Sequence, residues 1–341
     1  MLTRRALVIA TAAAALAGRA PAAVARKAQP APTAAPPAAS GPVRSAREML
    51  AEARSWIYQL QNYDFRQLVA SQADVLVVDY SISGDEKSRL SEGAIRKLQR
   101  KPDGSRRLVL SYLSIGEAEE YRFYWNKKWI ESDDEAATTP PSGPAADKPG
   151  AGEAAMEPAK PSRWLSPKAP AWLGDENESW SGNFAVKYWD PDWQSLIVGG
   201  AGSYIDRILA AGFDGIYLDR VDAFYEHSDE RPTAADEMVA FVQRIAQHAR
   251  AKVPEFLVVP QNGEELLMRA GYVDTIDAIA KEDLLYGSPD QGKANSNAQI
   301  ANTVGWLSQA RRAGRPVLVV ENLEDKAKNA QARAEITNLG Y

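Results

Sequence analysis

The strongest constraint on the fold is a repeated alternation between short apolar runs and helical patterns. Residues 75–78 are Val-Leu-Val-Val and residues 256–259 are Phe-Leu-Val-Val. Runs that are apolar on both faces are typical of parallel strands covered by helices. The pattern predicts seven strands, at residues 56–60, 75–80, 108–113, 216–218, 256–259, 275–280 and 316–320.

Helical patterns separate these strands. Asp190 and Pro191 have the residue types of an N-cap and a first helical position. Further helices are predicted at residues 44–54, 92–99, 235–252 and 298–312. Repeated β–α units in a chain of this length predict a (β/α)8 TIM barrel, which typically needs about 250 residues. A doubly wound open sheet is the alternative, but no glycine-rich phosphate motif follows the first strand.

The boundaries of the barrel domain follow from composition. We predict a single catalytic domain at residues 44–341, preceded by an Ala/Pro-rich linker at residues 26–43. Residues 131–161 are rich in Asp, Glu, Ala, Pro and Gly, and we predict that they form a disordered acidic insertion. The chain stops where an eighth strand is due, so we expect that strand to be incomplete, with the N-terminal helix as a candidate cover for the seam.

The first 25 residues have the pattern of a signal peptide. Arg4 and Arg5 precede an apolar run at residues 6–16, and small residues follow it. This run is too short for a permanent membrane span. The two arginines fit a twin-arginine signal and an ordinary secretory signal equally well. Either route predicts export to the periplasm or the extracellular space.

Composition excludes several chemistries. The chain has no cysteine, so thiol catalysis, thiolate metal sites and disulfides are excluded. Its two histidines, His227 and His248, are too few for a histidine-rich metal site, and they support a Ser-His-Asp triad poorly. We therefore predict no metal and no cofactor. The formal charge of −5 disfavours nucleic acid as a partner and is compatible with a cationic substrate. We expect a monomer.

Polar residues follow the predicted strands at the end where barrels place their active sites. Carboxylates and amides suit sugar hydroxyls, aromatic side chains suit sugar rings, and glycosidic bond cleavage needs two carboxyl groups. A polysaccharide is therefore the predicted partner. The candidates are Asp79 and Tyr80 after strand two, Glu117 after strand three, Tyr188 and Trp189 before strand four, Asp219 and Asp222 after it, Gln261 and Asn262 after strand five, and Glu282 after strand six.

Several motifs in order resemble those of a known family. They are YLSIGEAE at residues 112–119, YRFYW at 121–125, YWDP at 188–191, GFDGIYLD at 212–219 and PQN at 260–262. Together they resemble glycoside hydrolase family 114, the endo-α-1,4-polygalactosaminidase-like barrels. The resemblance extends over residues 56–286.

This resemblance implies a retaining glycosidase on a TIM barrel, acting on galactosamine-containing polysaccharide. It maps the two catalytic carboxylates onto Asp219 and Glu282. Because the nucleophile must be ionised and the acid must hold a proton, we assign Asp219 as nucleophile and Glu282 as acid/base. The other candidates are expected to contact substrate; they are Asp79, Tyr80, Glu117, Tyr188, Trp189, Asp222, Gln261 and Asn262.

Structural roles are the alternatives for these residues. Asp219 could pair with Arg220 or Lys281, and Asp222 could be a helix N-cap. Glu282 could be a solvated surface charge. Glu117 and Glu119 could form structural ion pairs with Arg122, and the tryptophans of residues 125–193 could be packing residues. For the whole protein, the alternatives are a non-catalytic polysaccharide-binding barrel and a metal-dependent deacetylase.

Overall fold

The computed structural model describes residues 44–132, 163–287 and 292–341. The predicted signal peptide (1–25), the predicted linker (26–43) and residues 133–161 of the predicted insertion lie outside this part of the chain. Within it, no helix combines the length and the apolar character that a membrane crossing requires.

The strands and helices are numbered in chain order. The strands are β1 (Trp56–Tyr58), β2 (Val75–Asp79), β3 (Leu108–Ser114), β4 (Glu117–Glu119), β5 (Ile130–Ser132), β6 (Arg163–Leu165), β7 (Leu173–Glu176), β8 (Asn183–Val186), β9 (Gly215–Asp219), β10 (Leu257–Pro260), β11 (Ile279–Glu282) and β12 (Val317–Val320). The helices are α1 (Ala46–Glu52), α2 (Phe65–Ala70), α3 (Glu92–Leu98), α4 (Pro191–Ile197), α5 (Tyr204–Ala211), α6 (Ala234–Lys252), α7 (Tyr272–Thr275), α8 (Asn297–Arg312) and α9 (Lys326–Asn338).

Seven parallel strands form the centre of the fold. Strands β1, β2, β3, β9 and β10 are hydrogen-bonded neighbours in that order, and β11 pairs with β12. A parallel bridge between Gln261 and Ala280 joins the two groups. The spatial order thus follows the chain order without the reversal that defines a doubly wound sheet. This is the predicted TIM-barrel arrangement. In the described residues β1 and β12 lie at the two open ends of the series.

Side-chain alternation along the strands divides the core in two. One set of alternate residues forms an inner cluster, including Val77, Tyr217 and Val259, and the other set packs against the helices. Leu50 of α1 packs into the inner cluster. The period of two continues to the ends of the strands. It therefore turns the last inward residues, which are Asp79, Asp219, Gln261 and Glu282, toward the interior of the barrel.

The structure corrects the predicted sixth strand, which was placed at residues 275–280. Residues up to Thr275 form α7, and the strand β11 runs from Ile279 to Glu282. The physical reason lies at Asp277, whose carboxylate accepts the backbone N–H of Val258 (2.8 Å) and pairs with Arg250. This contact fixes the chain before the strand begins. In addition, residues 326–338 after β12 form α9, and residues 339–341, where the eighth strand was expected to begin, are not part of a strand.

An accessory region is inserted between β3 and β9. It contains a three-stranded antiparallel sheet, in the order β4–β8–β7, and the pair β5–β6. Glu131 and Ser132, the first two residues of the predicted insertion, belong to β5. Four tryptophan rings form a series in which the centroids of successive rings lie 5.0–5.4 Å apart: Trp125, Trp129, Trp172 and Trp193. These tryptophans therefore pack the accessory region, as the structural alternative predicted.

Candidate active site

Asp219 is the last residue of β9 and its side chain is 4% exposed. Its Oδ2 accepts a hydrogen bond from the Tyr112 hydroxyl (2.6 Å). Its Oδ1 accepts from the Gln261 amide (3.0 Å) and from the backbone N–H of Arg220 (2.9 Å). The side chains of Arg220 and Lys281, the expected structural partners, pair with other acids. Three donors thus fix the orientation of the carboxylate.

Glu282 is the last residue of β11 and is half-buried. Its Oε2 accepts a hydrogen bond from Gln261 Nε2 (2.8 Å), and its Oε1 accepts from Asn322 Nδ2 (2.8 Å). Amides from the two neighbouring strands therefore hold the carboxylate from both sides. This arrangement differs from the solvated surface charge that was the alternative for Glu282.

Gln261 joins the two carboxylates. Its Nε2 donates to both Asp219 Oδ1 and Glu282 Oε2, and its Oε1 accepts from the Tyr217 hydroxyl (2.7 Å), which fixes the orientation of the amide. The nearest oxygens of the two acids can be no further apart than the sum of the two bonds from Nε2, 3.0 Å and 2.8 Å. Gln261 is 1% exposed, so it forms the floor of the site.

The residue after each of three inward site residues has a left-handed backbone. Arg220, Asn262 and Asp283 have φ values of 60°, 60° and 55°. Asn262 Oδ1 accepts the backbone N–H of Glu282 (3.1 Å), and Asp283 Oδ1 accepts that of Asn322 (3.1 Å). These turns link neighbouring strand ends, and such backbone conformations are concentrated at functional sites.

Asp222 lies beside Asp219 on the 3-10 segment Val221–His227. Burial raises the pKa of Asp222 to about 6, with Arg220 and Lys281 opposing the shift and Asp219 adding to it. Its side chain is 25% exposed, so it faces the rim and is accessible. Asp222 is therefore a second acid beside Asp219, and the N-cap role is not observed because the cap of this segment is Arg220.

Glu117 is 3% exposed and forms an ion pair with Arg220, whose Nε lies 3.0 Å from Glu117 Oε1. Its carboxylate also accepts from Asn177 Nδ2 (2.7 Å) and Asn183 Nδ2 (3.2 Å). Burial raises the pKa of Glu117, and the Arg220 guanidinium opposes this shift. The alternative of an ion pair with Arg122 is confirmed for Glu119, whereas Glu117 pairs with Arg220.

Asp79 lies in a buried ion triad with Arg122 and Glu119. Arg122 Nη1 lies 2.7 Å from Asp79 Oδ2, and both side chains are 0% exposed. Burial raises the pKa of Asp79 to about 6, against the opposing effect of Arg122. The structure therefore gives Asp79 a partner within the protein and places it beneath the rim.

The remaining candidates lie at different depths. Tyr80 is fully buried in the helix-facing layer and donates to Glu86 (3.1 Å). Tyr188 is also buried there, and its hydroxyl donates to the carbonyl of Ala234 (2.7 Å). Neither is brought to the two carboxylates. Trp189 is half-buried, with the Arg231 guanidinium 4.4 Å from its ring centre.

Four residues of the site were absent from the sequence prediction: Tyr112, Tyr217, Arg220 and Asn322. Strand alternation could have identified Tyr217, which lies two residues before Asp219 and so faces the same way. Tyr112 lies in a quoted motif, and Asn322 follows the seventh strand. No three His, Cys, Asp or Glu side chains in the described ranges are grouped so that they could hold a metal ion.

Sequence comparisons place the chain among glycosidase-related proteins. The sequence model of glycoside-hydrolase family GH114 matches residues 151–340, more than half of the chain. An uncharacterized protein of Methanocaldococcus jannaschii is 34% identical over 280 residues, covering 80% of this chain and 67% of that protein. An uncharacterized protein of Thermotoga maritima is 30% identical over 277 residues, covering 80% and 71%.

Solved structures share the fold. Ega3 of Aspergillus fumigatus, in complex with galactosamine, has a TM-score of 0.50 at 16% identity, covering 82% of each chain. The glycoside hydrolase domain of PelA from Pseudomonas aeruginosa has a TM-score of 0.52 at 16% identity, covering 84% of this chain and 90% of that one.

Proposed function

The chain belongs to glycoside-hydrolase family GH114, and from this premise we propose that it is an exported retaining glycosidase of galactosamine-containing polysaccharide. Asp219 is the proposed nucleophile and Glu282 the proposed acid/base. The observation that carries this proposal is the pair of inward strand-end carboxylates that share the Gln261 amide.

The hydrogen bonds of Asp219 support its role as nucleophile. Three donors point at its oxygens, from Tyr112, Gln261 and the backbone of Arg220. Donors on both oxygens fix the orientation in which the carboxylate would meet the anomeric carbon. Glu282 is less buried than Asp219 and can exchange a proton with a leaving group or with water.

The separation of the acids supports retention. Retaining glycosidases have carboxyl groups about 5–5.5 Å apart, whereas inverting enzymes leave room for a water at about 6.5–9.5 Å. Because one amide nitrogen bonds to an oxygen of each carboxylate, Asp219 and Glu282 lie close together, and this closeness supports retention.

The proposed reaction has two steps. An Asp219 oxygen forms a bond to the anomeric carbon while the glycosidic C–O bond breaks and Glu282 gives its proton to the departing sugar oxygen. Glu282 then removes a proton from water, whose oxygen attacks the same carbon and releases Asp219. Each of the two steps inverts the configuration at the anomeric carbon, so the product has the same configuration as the substrate.

The charge of the rim favours a cationic sugar polymer. Near these strand ends, Arg220 and Lys281 are accompanied by a larger set of acids, several of them buried: Glu117, Asp219, Asp222, Glu264, Glu282 and Asp283. A cleft of one sign concentrates ligands of the opposite sign. Free galactosamine units carry an ammonium group, and Ega3, which shares the fold, was solved with galactosamine. Export is proposed from the signal-like residues 1–25.

The direct test uses partly deacetylated galactosamine polymer and the protein lacking residues 1–25. We expect shortened products with the wild type, and none with Asp219→Asn. The matched control is Asp236→Asn, at an exposed acid of α6, which should retain full activity. NMR of the first-formed product should show the anomeric configuration of the substrate.

Three outcomes would contradict the proposal. Full turnover by Asp219→Asn would exclude Asp219 as nucleophile. Polymer that binds to the wild type but is never shortened, on this or other glycans, would favour the non-catalytic barrel. Release of acetate that stops on addition of EDTA would favour the deacetylase.

A further inference from the structure

Arg220 occupies a backbone conformation that its residue type rarely adopts. Its φ and ψ of 60° and 30° lie in the left-handed region, which is unfavourable for a residue with a Cβ. At the ends of β10 and β11 the same conformation is taken by Asn262 and Asp283, types that tolerate it. At the end of β9 this conformation is taken by Arg220. We infer that the arginine side chain has a role there that asparagine or glycine could not fill.

The conformation aims the Arg220 backbone at Asp219. The Arg220 N–H donates to Asp219 Oδ1 (2.9 Å). On the other side, the Arg220 carbonyl abuts Gly116, where a Cβ would lie 2.3 Å from the carbonyl oxygen. The peptide groups of Arg220 are therefore confined between the proposed nucleophile and the connection from β3 to β4.

The Arg220 guanidinium connects this turn to the accessory sheet. Its Nε lies 3.0 Å from the buried Glu117 Oε1, and Glu117 is held by Asn177, after β7, and Asn183, in β8. On its outer side the guanidinium pairs with the exposed Glu226. A continuous series of contacts thus runs from the β7–β8 turn through Glu117 and Arg220 to Asp219.

We propose that Arg220 is a positioning residue, through which Glu117 and the accessory sheet hold Asp219 in its reactive orientation and balance the acids around it. This inference rests on the proposed function, because it takes Asp219 as the nucleophile. It gives Glu117 a supporting role in place of the substrate contact that the sequence suggested.

The charges around Asp219 give the proposal a measurable signature. The groups around it are Tyr112 from β3, Gln261 after β10, Arg220 and Asp222 from the following turn, Glu282 from β11, and Glu117 from β4, while Lys281 of β11 acts on the neighbouring Asp222. Arg220 opposes the rise in the pKa of both Glu117 and Asp222. Without the guanidinium, Glu117 and Asp222 lose a nearby positive charge, so proton uptake at these two acids moves to higher pH.

The test compares Arg220→Gly, Arg220→Lys and Glu117→Gln on the polymer substrate. Glycine accepts the left-handed backbone and keeps the N–H that donates to Asp219, so it removes the arginine side chain without removing that hydrogen bond. We expect Arg220→Gly to lower kcat by on the order of 100-fold with KM within about threefold, and to raise the acidic limb of the kcat/KM profile by about one pH unit. Glu117→Gln removes a negative charge and leaves the guanidinium in place, so it should shift the limb to lower pH by a smaller amount.

Glu226→Gln is the matched control, because it removes an ion pair from the same guanidinium without touching the accessory sheet. We expect it to remain within twofold of the wild type at every pH. Arg220→Lys keeps the positive charge. Its pH profile should therefore lie closer to that of the wild type than the profile of Arg220→Gly does, while its kcat should recover to a smaller extent. If Arg220→Gly is poorly folded by circular dichroism, Glu117→Gln and Asn177→Ala test the same connection from the other end.

Two results would overturn the proposal: a wild-type pH profile and kcat in Arg220→Gly or Glu117→Gln, or equal effects of Glu226→Gln and Glu117→Gln. Asp219→Asn measured in parallel separates this inference from the proposed function. Activity retained in Asp219→Asn contradicts the function itself, whereas its loss together with unaffected Arg220→Gly contradicts the positioning role alone.

Discussion

Asp219 and Glu282 accept hydrogen bonds from the same nitrogen, Gln261 Nε2, at 3.0 Å and 2.8 Å. The amide is oriented by Tyr217, and it lies where β10 separates the strands of the two acids. Because a primary amide has two N–H groups, one can point at each carboxylate. The separation of the two acids is therefore set by a side chain between them.

Gln261→Glu tests this relationship, since it exchanges the shared donor for a third carboxylate of the same shape. We expect kcat to fall on the order of 100-fold because the two acids are displaced and face a like charge. Tyr217→Phe, which lets the amide rotate, should cause a smaller loss. Gln67→Glu, the same change at an exposed position of α2, is the control and should leave kcat unchanged. Wild-type kinetics in Gln261→Glu would show that the amide does not set the geometry.

The assignment of roles can be tested by azide rescue of alanine variants. With Asp219→Ala, azide should replace the nucleophile and give a glycosyl azide of inverted configuration on an activated galactosaminide. With Glu282→Ala, the covalent intermediate still forms, so azide should give a product of retained configuration. NMR of the two products checks the assignment, and the opposite pattern would exchange the two roles.

Gly116→Ala should damage activity through the backbone of Arg220. The added Cβ would lie 2.3 Å from the Arg220 carbonyl oxygen, so the turn that follows Asp219 must move. We expect a loss of kcat of about 100-fold, measured with the folded fraction checked by circular dichroism. Gly93→Ala in α3 is the matched control, because its Cβ would be 3.8 Å from Ser91 Oγ. That variant should gain roughly 0.5–1 kcal/mol of stability and keep full activity.

Arg122→Met should destabilise the fold strongly. It leaves the carboxylates of Asp79 and Glu119 buried without their cation, and breaking such a pair costs about 3–5 kcal/mol. Urea unfolding of Arg122→Met against the wild type measures this free energy. Arg44→Ala removes an exposed ion pair with Glu52 and should cost less than roughly 1 kcal/mol. Similar values for the two variants would contradict the importance of the buried triad.

The titration of Glu321 should lower the stability of the folded protein as the pH rises. Burial raises the pKa of Glu321 to about 7, from a usual value of 4.5, although it accepts backbone N–H groups of Leu285 and Tyr286. A raised pKa means that the folded state binds the proton more tightly than the unfolded state does. The protonated carboxyl therefore stabilises the fold fully below pH 4.5, and this stabilisation disappears as the pH rises to about 7. The Tm of wild type minus that of Glu321→Gln should decrease between pH 4.5 and pH 7.5. A constant difference would contradict this linkage.

Much of the fold could be predicted from the sequence. Continuous apolar runs such as residues 75–78 and 256–259 can be satisfied only by strands covered on both faces, and their repetition with helices leaves few alternatives to a barrel. The sixth strand was misplaced because residues 275–278 resemble a strand locally. Asp277 is held there by Val258 and Arg250, contacts distant in sequence.

The acids at the strand ends were likewise visible in the sequence, because a buried strand that ends in Asp219 is a local pattern. Its partners were not visible, since Tyr112, Gln261 and Glu282 reach it from other strands. The role of Asp79 also depends on tertiary structure. Its position at a strand end groups it with the site, but in the folded chain it pairs with Arg122. Alternation along one strand is a local property, and it determines which residues face inward. Which inward residues meet depends on the register between strands, and only the folded barrel fixes that register.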